Sequence, residues 1–387
     1  MRGALAVGIL AKLEETLREK LGRPELVLSD YFDLIGGTST GAIIASGLAL
    51  GKDTAYLRVL YNDLGQKVFR KWIPRLWLIQ SRFDPKKLAK VIDEVLGDIT
   101  LGTAPWRTGF AAISKRVDTG SCWVLTNCPR DKYWEGSPSE IEAQPDPALR
   151  KITPNRDYSL ATIVQASAAA PFYFDMVRLQ VVKDEPGVFF DGAMTPHGNP
   201  VLQLALTALI PAYGFGWSPA LDGLDGWKER KDRVIGWEPG ADKLLIVSIG
   251  TGQSKPAKPE WRNRPFLLSI WKAVHALTSL AYDNSQLGIT MLQWLGVSPQ
   301  PWKINNQIES LVNVRPGIAP LWTFVRYDAP LEEKWLETHL HKTYSAPDLA
   351  RLARMDDDRQ VPELYEIGES AGAALINPEH FPAIFDP

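Results

Sequence analysis

Five residues, Gly37-Thr38-Ser39-Thr40-Gly41, constrain this chain more than any other stretch. They lie between the short apolar run Tyr31-Phe32-Asp33-Leu34-Ile35-Gly36 and the small, apolar run from Ala42 to Leu50. That order reads as strand, sharp turn, helix, the setting in which a G-x-S-x-G pattern lifts a serine hydroxyl clear of a sheet. A serine at such a turn takes a strained backbone. Side chains two residues to either side would strike the turn or the next strand, so glycine is expected at 37 and 41. The helix that follows presents its positive N-terminal end to the serine, where it favours developing negative charge. Without that context the pattern is weak, and a glycine-rich structural turn is the plain alternative.

The rest of the chain supplies the partners such a turn needs. Residues 4–21 place Leu5, Ile9, Leu10, Leu13, Leu17 and Leu21 at helical spacing, and Gly22-Arg23-Pro24 ends the helix. Residues 53–96 read as helical with breaks near Pro74 and Pro85. Phe110–Ser114 and Cys122–Thr126 read as strands joined through Asp118-Thr119-Gly120. A polar loop is expected over 129–157, a small-residue helix from Leu160 to Ala170 ended by Pro171, and strands at Val188–Phe190 and Leu244–Ile249. Residues 213–240 carry no period, and the C-terminal third reads as mainly helical, closing with Val361–Ile376. Alternating strands and helices imply an α/β fold, a three-layer α/β/α arrangement around a mostly parallel sheet. A single domain over residues 1–387 is expected, with a core of about 1–255 and a helical extension of about 256–387.

Composition narrows the function. A net charge of −2, with 45% apolar and 23% charged residues, is ordinary globular composition and offers no basic excess for a nucleic-acid partner. Cys122 and Cys128 are the two cysteines, without a neighbour at metal spacing, and read as reduced structural thiols. No metal and no cofactor is expected. Gly41–Gly51, the longest apolar stretch near the start, is about half of the roughly 20 residues a spanning helix requires. No signal peptide is read at the start, and a cytoplasmic protein is expected, with peripheral contact at membranes as an option.

A serine needs a base. The five histidines are His197, His275, His339, His341 and His380, and none follows a convincing strand. His197 comes closest, six residues beyond Asp191. Asp191 itself ends the strand-like Val188-Phe189-Phe190 and precedes Gly192. Both Ser39 and Asp191 thus occupy strand ends, where open α/β sheets form their ligand crevice. The plain alternative for Asp191-Gly192 is a turn.

The run Asp33-Leu34-Ile35-Gly36-Gly37-Thr38-Ser39-Thr40-Gly41-Ala42 resembles the nucleophile block of the patatin-like phospholipases. Asp191-Gly192-Ala193 resembles that family's D-G-G/A block, Ala166–Phe174 its small-residue helix and A-A-P-x-Y-F stretch, and Val247–Gly252 its S-x-G-T-G strand end. Arg354-Met355-Asp356 and Ile367-Gly368 resemble, more loosely, a bacterial member's C-terminus. The resemblance implies a lipid acyl hydrolase with catalytic Ser39 and Asp191, in which Asp191 takes the serine proton without histidine. The elbow would be Gly37, Thr38, Thr40 and Gly41, with Gly192 and Ala193 in the second motif. The substrate would be a phospholipid or another lipid ester; oligomeric state is left open. Two other readings stand beside it: a Ser-His-Asp esterase using His197 or a later histidine, and a weakly active or inactive lipid-binding protein.

The family opens with a strand and D-G-G-G-x-R-G, whose amides form the oxyanion hole. Here only Arg2 and Gly3 match, as remnants of that loop. The expectation is a longer product with the strand and glycine run ahead of Met1; a shortened chain is the alternative. Val68–Leu78 interleaves aromatic and basic residues, suited to an anionic lipid surface or to a partly buried cap helix. Trp217, Trp227 and Trp237 fit an acyl pocket or plain packing, and the acid clusters Glu332-Glu333 and Asp356-Asp357-Asp358 read as solvated surface.

Overall fold

The computed structural model describes residues 1–69, 83–129, 131–146, 149–171, 173–209, 238–253, 267–304, 312, 314–354 and 357–387. It opens with α1 (Gly3–Leu21), which ends at Gly22 in the left-handed region (φ 62), whose N–H bonds the Arg18 and Glu19 carbonyls. Residues 3–10 of α1 are buried on every side, so its first half is a core helix and only the second half is amphipathic. After the short α2 (Leu28–Tyr31) come β1 (Leu34–Thr38) and α3 (Thr40–Ala49). The expected strand therefore begins later, because Leu28–Tyr31 closes a helical turn that covers the bottom of the core. Helix α4 (Thr54–Leu64) is capped by Asp53 and α5 (Pro85–Leu96) by Asp84.

Next come β2 (Gly109–Arg116), β3 (Cys122–Thr126), α6 (Pro138–Ala143) and α7 (Leu160–Ser167). They are followed by β4 (Val177–Val182), β5 (Glu185–Asp191), α8 (Val201–Leu209), β6 (Leu245–Ile249) and α9 (Leu267–Leu295). The chain closes with β7 (Thr323–Tyr327), α10 (Glu333–Leu340), α11 (Ala346–Leu352) and α12 (Val361–Leu375). Helix α6 interrupts the segment read as loop, and β4 and β7 were not legible beforehand. The C-terminal third thus supplies a strand as well as helices.

Successive residues of a strand face opposite sides of the sheet. A Cβ on Gly36 would meet the Leu204 side chain of α8 at 2.7 Å, and one on Gly37 would meet the start of α3. Helices therefore cover both faces of β1, and the fold is an α/β/α sandwich. Its pairing corrects one expectation: β1–β2 and β6–β7 are parallel, but β2–β3, β2–β5 and β4–β5 are antiparallel. The described strands form a mixed five-stranded sheet, β1 to β5, and a separate parallel pair, β6–β7, rather than one mostly parallel sheet. Short connections account for two of the three antiparallel pairs, β2–β3 and β4–β5. Five residues link β2 to β3, and Lys183-Asp184 alone link β4 to β5, with Asp184 at φ 67. Such links permit only antiparallel pairing.

Helix α12 is built into the same core. It crosses α1 where Gly8 faces the Tyr365 carbonyl and Gly368 faces the Leu5 carbonyl, an added Cβ coming within 2.3 and 2.1 Å respectively. Glycine is the residue that lets two helix backbones approach this closely. Between β1, β6, α1, α3 and α8 lies a cleft of about 170 Å³, walled by apolar groups such as Leu10, Ile35, Ile44, Leu204 and Val247. Among the described residues no helix is long and apolar enough to cross a membrane.

Candidate active site

Two strands meet end to end to build the site. Ile113 of β2 is opposite both Thr38 of β1 and Val124 of β3; Ser114 is opposite both Asp191 of β5 and Trp123 of β3. A strand has two edges and β3 takes one, so β1 and β5 share the other. The first runs parallel to β2, the second antiparallel, and they stop at neighbouring positions. Ser39 and Asp191, 152 residues apart in sequence, therefore touch: Ser39 Oγ donates to Asp191 Oδ2 at 2.5 Å. This differs from two parallel strands ending side by side, and the antiparallel course of β5 is the reason.

Ser39 sits at φ 59, ψ −128, outside the regions a non-glycine residue prefers, a strain of about 1–3 kcal/mol that its surroundings must hold. The glycines flanking it differ in purpose. A Cβ on Gly37 would lie 1.9 Å from the Gly41 carbonyl oxygen, so only glycine fits there. One on Gly41 would meet nothing within 4 Å, because Gly41 faces the cleft. The expected steric need at 41 is therefore not imposed by this structure. Thr38 donates its hydroxyl to the His197 carbonyl at 2.9 Å, and the buried Tyr61 hydroxyl donates to the Thr40 carbonyl at 2.9 Å.

Asp191 is almost wholly buried, 2% exposed. Burial pushes its carboxyl up from 3.8 to about 6, against the Ser39 hydroxyl and the Ala193 N–H, which favour the charged form. The Ala193 N–H reaches Oδ1 at 2.8 Å, leaving Oδ2 for the serine. Gly192 is required sterically, since a Cβ would come within 2.3 Å of the Ile113 carbonyl oxygen. A buried carboxylate near pKa 6, bonded to a serine hydroxyl, is chemically equipped to accept that proton.

Among the described residues, no histidine side chain hydrogen-bonds to Ser39 or Asp191. His197 approaches the elbow through its backbone: the carbonyl accepts from Thr38 and the N–H donates to Thr195 Oγ1 at 3.1 Å. His380 Nδ1 lies 2.8 Å from the Tyr327 hydroxyl, His339 Nδ1 lies 2.8 Å from the Trp335 carbonyl, and His341 caps α10 in the left-handed region. The side chain of His275 lies outside the described residues. Among the described residues no three His, Cys, Asp or Glu side chains gather as a metal ion would require.

The sequence also matches a known protein family. The profile described as Patatin-like phospholipase matches residues 1–205, more than half of the 387. The chain belongs to the patatin-like phospholipase family. The cGAMP-activated phospholipase of Vibrio cholerae is 35% identical over 183 residues, 45% of this chain and 46% of that protein. The protein of the same name from Escherichia coli is 29% identical over 207 residues, 51% of this chain and 50% of that protein. The chain thus spans about half the length of these curated relatives. Probable inactive patatin-3-Kuras 1 from Solanum tuberosum is 25% identical over 388 residues, covering 93% of this chain and 91% of that one.

Other motif residues of this patatin-like chain also find places. Arg2 donates from Nε to the Thr251 carbonyl at 3.1 Å, and burial lowers its pKa. Gly3 packs where a Cβ would strike the Tyr61 hydroxyl at 2.3 Å, so Gly3 borders the elbow through Tyr61, which bonds the Thr40 carbonyl. The Gly250-Thr251-Gly252 turn wraps Asp328: the Gly252 N–H donates to its Oδ1 at 2.8 Å, and a Cβ on Gly250 would overlap its carboxylate. Asp328 is paired in turn with buried Arg326 at 2.7 Å. Cys122 and Cys128 are not joined by a disulfide. Residues 70–78 of the aromatic-basic segment, Trp217, Trp227, Trp237, Met355 and Asp356 lie outside the described residues.

Three contributors escaped sequence reasoning: Tyr61, Ser114 and Ser167. Ser114 donates to the Phe190 carbonyl at 2.8 Å and locks β5 onto β2 beside Asp191. Ser167 donates to the Ile113 carbonyl at 2.6 Å and accepts the Ser39 N–H at 3.0 Å. A polar residue among the alanines of Ala166–Ala170 was the available signal for Ser167; Tyr61 and Ser114 carried none.

Proposed function

We propose that this chain is a lipid acyl hydrolase that cleaves carboxylic esters through a Ser39–Asp191 dyad. The observation that carries the reading is the 2.5 Å contact between Ser39 Oγ and the buried carboxylate of Asp191. As Ser39 Oγ attacks the ester carbonyl, Asp191 Oδ2 takes its proton. The tetrahedral intermediate then collapses, the alcohol leaves with the proton returned by Asp191, and an acyl-serine remains. Water attacks the acyl-serine, Asp191 accepts its proton, the fatty acid departs and Ser39 recovers its hydrogen. At the oxyanion, the N–H of the residue after the nucleophile is the expected donor, here Thr40 at the N-terminus of α3. Removing one such donor costs about 10²–10³-fold in rate.

Family membership supports a phospholipid or other lipid ester as substrate, met by peripheral contact with a lipid surface. The test uses a short-chain chromogenic ester and a fluorophosphonate probe on wild-type protein, Ser39→Ala and Asp191→Asn. Wild type is expected to hydrolyse the ester and label at Ser39, and both variants to lose hydrolysis. A folded wild-type protein that neither hydrolyses nor labels overturns the enzyme reading in favour of a silent lipid-binding role.

A further inference from the structure

We propose that Ser167 is the positioning residue of the nucleophile: its buried hydroxyl ties the Ser39 amide to the Ile113 carbonyl and so aims Ser39 Oγ at Asp191. This rests on the dyad reading above. Ser167 is fully buried, at 0% exposure. It ends α7, whose Ser159 cap accepts the Thr162 N–H and sets the helix against β2. Its single proton goes to the Ile113 carbonyl at 2.6 Å, so an oxygen lone pair is turned toward the Ser39 N–H at 3.0 Å.

Three consequences follow from that direction. The Ser39 amide is occupied and cannot serve the oxyanion, which leaves the Thr40 N–H as the donor next to the nucleophile. The left-handed Ser39 backbone (φ 59) is held by a side chain from another element, as a strained functional residue requires. Ile113 is also where the two motifs meet, since Gly192 of the second motif packs against its carbonyl and Thr38 of the elbow pairs with it in register. One carbonyl therefore references the nucleophile, through Ser167, to the turn that carries the base.

Loss of the Ser167 hydroxyl leaves a buried amide and a buried carbonyl short of a partner, and the elbow shifts to recover them. A displacement of about 1 Å at a reacting group can cost about 100-fold in rate. Ser167→Ala is expected to lower kcat by about 10- to 100-fold with KM nearly unchanged, the pattern of an interaction that acts on the chemical step. The rate of fluorophosphonate labelling, which needs Ser39 but no lipid, is expected to fall in parallel. The midpoint of the pH–kcat/KM curve is expected to move upward, because Asp191 loses part of the Ser39 hydrogen bond that favours its charged form. Ser167→Thr keeps the hydroxyl and is expected to recover labelling. Ser167→Cys keeps the shape but accepts hydrogen bonds poorly, and is expected to behave like the alanine variant.

Circular dichroism and thermal melts establish that the variants compared are folded. If Ser167→Ala or Ser167→Cys is folded and labels at the wild-type rate, the positioning role is overturned while the dyad stands. If the threonine variant is folded yet as slow as alanine, the hydroxyl is not what matters and the proposal is again overturned. A folded wild-type protein that does not label overturns the dyad reading and this one with it.

Discussion

Replacing Asp191 by asparagine separates the cost of its burial from its use. In the folded chain its carboxyl titrates at about 6 rather than 3.8, and burial is the cause. For an acid whose folded pKa is raised, folding is favoured while the group is protonated, and that advantage is lost as pH rises through the folded value. The displacement from 3.8 to about 6 corresponds to about 3 kcal/mol once both states are ionised. Asparagine has nearly the same shape, cannot ionise, and can still accept the Ala193 N–H. Asp191→Asn is therefore expected to match wild type in stability below about pH 4, to gain steadily between about pH 4 and 6, and to level off near 3 kcal/mol above about pH 7. Urea unfolding at a series of pH values measures this directly. The same variant is expected to lose about 10²–10⁴-fold in ester hydrolysis, and wild-type kcat/KM to fall about tenfold per pH unit below about 6. A stability difference that does not change with pH, or an asparagine variant less stable than wild type at neutral pH, would refute the claim that Asp191 is held as a destabilised buried carboxylate.

His197→Ala is expected to hydrolyse the test ester at close to the wild-type rate, since His197 meets the elbow by its backbone carbonyl; a loss approaching about 10⁴-fold would restore a histidine triad. Gly368→Ala puts a Cβ 2.1 Å from the Leu5 carbonyl and is expected to lower the unfolding free energy by about 1–3 kcal/mol. In the same urea titration Gly288→Ala in α9, whose Cβ meets nothing within 4 Å, is expected to raise it by about 0.5–1 kcal/mol.

Local signals carried much of this protein. The strand-turn-helix of β1 and α3, the turn between β2 and β3, and helix α1 with its Gly22 stop are each written within a dozen or so neighbouring residues, where spacing and turn chemistry act directly. Ser39 and Asp191 could both be singled out in the same way, as the residues ending β1 and β5. Strand β4 was hidden because its alternation of exposed and buried residues is short and charged, and β7 because its five residues gain their burial only beside β6. What tertiary structure alone decided is how the two halves of the site meet. The antiparallel course of β5 along the edge of β2 that β1 also uses is a matter of pairing between distant segments, and no local pattern encodes it. The same holds for Ser167, a small polar residue in a run of alanines until folding sets it between Ser39 and Ile113. It holds equally for the pKa of Asp191, because a carboxylate shifts only when other parts of the chain exclude water from it.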